Sequence, residues 1–100
     1  MDSSEKRREP RFPLGVYIAI KVNHAAEWRE LKAFTVNASH HGVLVTLNEA
    51  PELGERVMVE FPPPAGGWGE AIVRHVIRGT TNYLVGIRLQ EPGSGWPGQP

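Results

Sequence analysis

No cysteine occurs in the 100 residues, which excludes disulfides and thiolate metal sites. Neither sign of charge is in excess, since 11 lysines and arginines balance 11 aspartates and glutamates. Without a global field there is nothing to gather bulk nucleic acid, so any anion site must be local. No apolar run approaches the roughly 20 residues needed to span a bilayer. The start, Asp2-Ser3-Ser4-Glu5-Lys6-Arg7-Arg8, is basic but has no apolar stretch behind it, unlike a signal peptide. A cytoplasmic protein is expected. The hydrophobic share, 40%, is a little low for a globular chain because both ends are polar or rich in proline and glycine. The core is expected from residues 14 to 90.

What is present is mostly alternation. Residues 1–13 are charged and hold Pro10 and Pro13, which bias Glu9 and Phe12 towards extended geometry. They read as a flexible, non-helical arm. Val16, Ile18, Ile20 and Val22 then alternate with more polar neighbours, a first strand. Asn23 to Arg29 reads as a hairpin loop or a short turn of helix, and Ala33 to Val36 as a second strand ending at Asn37. Asn37 to Gly42 is a run of turn formers, followed by a strand through Val43, Val45 and Leu47. Arg56 to Phe61 is a fourth strand. After Pro62–Gly67 comes a fifth, Gly69 to Arg78, with Ala71, Val73 and Ile77 on one face and His75 in phase with them. Trp68 stands at its start. Gly79 to Asn82 turns into a last strand, Tyr83 to Leu89. Residues 91–100 read as a disordered tail in which Trp96 is either a docking anchor or exposed. Six short strands at roughly 10-residue spacing, with no long amphipathic helix, predict an all-β fold, an antiparallel β-barrel whose closure removes exposed edges.

Catalysis finds little support in these residues. Histidines stand at 24, 40, 41 and 75, without the spacing that three converging zinc ligands need. Ser39 lacks a glycine-flanked elbow and an evident histidine–carboxylate set. Neither an enzyme nor a metal site is expected. Arg7, Arg8 and Arg11 are more suggestive. Guanidinium is planar, permanently charged and presents a fork of donors that can pair with phosphate or a guanine edge. In an extended arm, residues 7 and 11 share a side and lie roughly 13 Å apart. Taken alone, such an arm is usually solvated. Asn37-x-Ser39-x-x-Gly42, taken alone, reads as a turn held by its own side chains, with Gly42 free for a left-handed conformation or a close approach.

In combination, an Arg-x-x-x-Arg arm before the first strand and an Asn-x-Ser-x-x-Gly turn about 26 residues later resemble the PilZ domain family. Its pattern is RxxxR followed by [D/N]xSxxG on a six-stranded β-barrel. The resemblance covers roughly residues 5 to 90, and Tyr83-Leu84-Val85-Gly86-Ile87-Arg88-Leu89 is similar to the family's closing strand. It implies a bacterial receptor for cyclic di-GMP, with no metal or other cofactor, that signals to a partner protein in trans. Arg7 and Arg11 would contact phosphate and guanine, Asn37 and Ser39 would hydrogen-bond a guanine, and Gly42 would let the turn close on it. Arg8, off the motif, would stack on a base or face solvent. Asn37 stands where Asp is frequent; its amide has one acceptor oxygen and no charge, which implies weaker binding. The tail, broken by Pro92, Gly93, Gly95, Pro97 and Gly98, cannot form the helix that many members carry after the barrel. Two other readings are a PilZ-like adaptor in motility or pilus assembly that binds no nucleotide, and a barrel for single-stranded nucleic acid. The latter usually needs basic strands interleaved with aromatics, which these strands are not.

Overall fold

The computed structural model describes residues 10–92 and 96–97. Seven strands are present: β1 (Phe12–Pro13), β2 (Tyr17–His24), β3 (Glu27–Ser39), β4 (Gly42–Leu47), β5 (Arg56–Glu60), β6 (Trp68–Arg78) and β7 (Tyr83–Leu89). All pairings are antiparallel, in the order β3-β2-β5-β6-β7-β4, and β4 pairs back onto β3. Six strands thus close a barrel, as the alternation predicts, and β1 adds a short seventh piece along β3.

The differences from the sequence reading are local. Asn23 to Arg29 is a hairpin and not a helical turn, but its loop is shorter than that span. Register continues to His24↔Glu27 across a two-residue turn in which Ala25 and Ala26 have φ of 51° and 67°. This is the positive-φ geometry that twisted hairpins favour, built without the usual Asn-Gly signal. The second strand also runs past Val36. Asn37, Ala38 and Ser39 belong to β3, and only His40-His41 turns before β4.

Two register shifts matter for function. One lies between Thr35 and Asn37 on β3, the other between Val73 and His75 on β6. Each inserts an extra residue, Val36 or Arg74, and reverses which positions face inward. Ala71 and Val73 are buried as expected, but beyond Arg74 it is Val76 that packs on the core, while His75 and Ile77 are exposed. A plain period of two put Ile77 inside and His75 in phase with it. The bulge overturns that.

The core is the barrel interior, lined by alternate residues such as Ile20, Val45, Val59, Val73 and Val85. Burying each such side chain contributes about 1.5–3 kcal/mol. The core extends beyond 14–90 at both ends, to Phe12 and to Trp96. Trp96 is 2% exposed and stacks 5.0 Å from the Phe61 ring, so it is an anchor. Thr35 is the buried polar residue at the seam between arm and barrel. Its hydroxyl accepts from the amides of Gly15 (3.2 Å) and Val16 (2.9 Å) and donates to the Val16 carbonyl (2.8 Å). With Gly15 at φ 95°, this carries the chain from β1 into β2.

Candidate functional site: an arginine-lined cavity on the barrel wall

The arm and the β3–β4 hairpin form one side of the site. Phe12 is buried opposite Ala38 and Pro13 lies opposite Asn37, which fixes the backbone beside Arg11. Arg11 Nη1 donates to Asn37 Oδ1 at 2.8 Å, across 26 residues of sequence. The Val36 bulge sets the phase in which Asn37 reaches that outer face. Ser39 is buried opposite Gly42. Gly42 is needed for close approach rather than for a left-handed backbone: a Cβ there would lie 2.9 Å from the Ile87 carbonyl oxygen of β7.

The opposite side comes from β6 and β7. Gly86 pairs with Leu44 on one flank and His75 on the other, and Arg88 pairs with Gly42 and Ile72. Arg74 is the bulged residue beside them. Together the two sides line an open cavity of about 340 Å³, within the range of about 300–1,000 Å³ usual for small-molecule sites. Three arginines (Arg11, Arg74 and Arg88) and two histidines (His41 and His75) border it, and among the described residues no carboxylate does. The only ion pair among the described residues, Arg29 with Glu49, is elsewhere. Guanidinium groups without carboxylate partners leave a local positive potential on a chain of zero net charge. Such a cavity suits an anion that also offers hydrogen-bonding edges.

Of the residues expected from sequence, Arg11, Asn37, Ser39 and Gly42 are brought together. Arg7 and Arg8 lie outside the described residues. His41, Arg74, His75 and Arg88 line the same cavity and were not anticipated. Arg88 had a legible signal, since it alternates with the buried Ile87 and Leu89 on the closing strand. Arg74 and His75 had none, because a bulge sets their direction. His41 read as an exposed turn residue but is half-buried, 5.1 Å from the His40 ring in an edge-on arrangement. Among the described residues, no three histidines or carboxylates group as a metal site would require.

A small closed barrel bearing a basic recess at the joint of an N-terminal arm and the Asn-x-Ser-x-x-Gly hairpin defines the class. The chain belongs to the PilZ domain family, whose model matches residues 5–95. Among solved structures it is similar to the PilZ domain with c-di-GMP of YcgR from Escherichia coli, at 16% identity and a TM-score of 0.64, over 85% of this chain and 78% of that one. It is also similar to the inhibitor of motility MotI/DgrA of Bacillus subtilis, at 18% identity and a TM-score of 0.59. That match covers 89% of this chain but 44% of the other. At these identities the likeness is one of fold. A comparison with curated proteins gives no match. No helix among the described residues is long and apolar enough to cross a membrane.

Proposed function

We propose that the protein is a receptor and adaptor for cyclic di-GMP, not an enzyme, that acts in the bacterial cytoplasm on a partner protein in trans. The convergence of Arg11, Arg74 and Arg88 with Asn37, Ser39 and Gly42 on one cavity, with no carboxylate among its described lining residues, carries this reading. Arg11 commits one of its five N–H donors to Asn37 and keeps the others for phosphate or a guanine edge. Asn37, once its oxygen accepts from Arg11, still offers its amide NH₂ to a base. Arg74 and Arg88 face the same space from β6 and β7, so a ligand with two phosphates and two guanines can be held from both sides. Arg7 would add a second guanidinium from the arm, roughly 13 Å from Arg11 if the chain is extended, and Arg8 would stack on a base or face solvent. Binding closes the arm over the barrel face, and the partner reads the closed form.

Titration calorimetry of the full chain with cyclic di-GMP tests the reading. Saturable heat at tens of micromolar ligand or below is expected. No heat in that range would leave the protein as an adaptor that binds no nucleotide.

A further inference from the structure

Beside the cavity, the barrel carries an apolar row on its outer face. The registers Tyr17↔Phe34, Phe34↔Thr46, Thr46↔Leu84 and Leu84↔Ile77 join one position from each of β2, β3, β4, β7 and β6 into a line across the sheet. Directly paired residues share a face, so the whole line points outward. Tyr17 is 64% exposed, Ile77 57% and Phe34 37%. Leu84 is half-buried but does not belong to the core packing. Tyr17 and Phe34 meet edge-on at 5.0 Å. Four of the five side chains are therefore apolar or aromatic.

We infer that this row docks an amphipathic helix of a partner protein, with acidic residues bordering the helix's apolar stripe. The inference rests on the adaptor reading above, and does not require the nucleotide. Geometry argues for a helix. The row runs across paired strands on the outer face of the sheet, where the backbone is engaged in the ladder, so side chains and not a strand edge are what it offers a partner. Five strands at about 4.8 Å spacing make the row about 19 Å long along the curved barrel wall, so a helix of about 13 residues is long enough to cross it, seated on Phe34, Thr46 and Leu84 at its middle with Tyr17 and Ile77 at its edges. Charge selects the acidic border. Lys32 holds its Nζ 4.7 Å from the Tyr17 ring at one end, and exposed Arg74 and Arg78 flank Ile77 at the other. The carboxylates near the Tyr17 end are Glu60, tied to the Ala19 amide at 2.9 Å, and Glu30, opposite Lys21. Position ties the row to the cavity. Thr46 of the row and Leu44 of the cavity lie two residues apart on β4, about 7 Å, so a docked helix would run alongside whatever fills the cavity.

The test uses the ¹⁵N-labelled full chain and two synthetic 18-residue amphipathic peptides with identical Leu/Phe faces, one bordered by Glu and one by Lys. The Glu peptide should shift the amides of Tyr17, Phe34, Thr46, Leu84 and Ile77 saturably, and bind at least ten-fold more tightly than the Lys peptide. Ile77→Asp, an exposed change that keeps the barrel's amide dispersion, should weaken the Glu peptide at least ten-fold. Equal binding of both peptides, shifts on another face, or no saturable shift would overturn the proposal. So would self-association through this row in peptide-free samples, which would assign it to a second copy. Cyclic di-GMP titrated into the same samples reports separately through Arg11, Asn37 and Arg88. Peptide binding without a nucleotide response would sink the receptor reading alone, and the reverse would sink the docking surface alone.

Discussion

The two sides of the cavity are built by different means. On the β1/β3 side, the Val36 bulge sets the phase and direct contacts between arm and strand then fix position: Pro13 beside Asn37, Phe12 buried opposite Ala38, and one bond from Arg11 to Asn37. On the β6/β7 side, Arg74 and His75 reach the cavity through a register shift, and Arg88 through ordinary strand alternation. The first side joins its two halves to each other; the second presents exposed guanidiniums with no carboxylate among the described residues of the cavity. One side is therefore suited to orienting a base, the other to neutralising phosphate.

That contrast can be broken by mutation. The largest effect should come from Arg11→Ala, which removes a group able to pair bidentately. Affinity for cyclic di-GMP should fall roughly 5- to 150-fold, the equivalent of about 1–3 kcal/mol, measured by calorimetry. Arg74→Ala and Arg88→Ala should each cost about 3- to 10-fold, less than Arg11, which Asn37 holds in place by a direct bond. Their losses should shrink in high salt, whereas that of Arg11 should persist in larger part. If all three respond alike to salt, the two sides do not differ in kind. Thr35→Val should act at one remove. The Val16 amide loses its hydroxyl acceptor, which should lower unfolding free energy by about 1–3 kcal/mol in urea titration. Affinity should weaken only about 2- to 5-fold, through looser placement of Arg11. The smallest effect on binding belongs to the far hairpin. Replacing Ala25-Ala26 with Asn-Gly suits the positive φ values there and should raise stability by about 1 kcal/mol in thermal unfolding, with affinity unchanged.

The same contrast explains what was legible in the sequence. Alternation at Val16–Val22, Val43–Leu47 and Tyr83–Leu89 marks strands because each keeps one face on the core throughout. Arg11, Asn37, Ser39 and Gly42 were visible as two short patterns, although the bond that joins them spans 26 residues. Arg74 and His75 were hidden because a one-residue insertion in a ladder leaves no compositional trace, yet flips every side chain after it. The β2–β3 hairpin was one of two readings, and its tightness was hidden: Ala25 and Ala26 adopt a two-residue turn that alanine does not advertise. Trp96 was ambiguous because its burial depends on Phe61, 35 residues earlier.

Phe12 has a thermodynamic consequence. Its burial and the Thr35 clasp immobilise the chain within one residue of Arg11, so most of the backbone entropy at that position, about 1–2 kcal/mol per residue, is lost during folding and not at ligand capture. Arg11 then enters the encounter preorganised, and its contribution should be seen mainly as a longer residence time of the bound nucleotide.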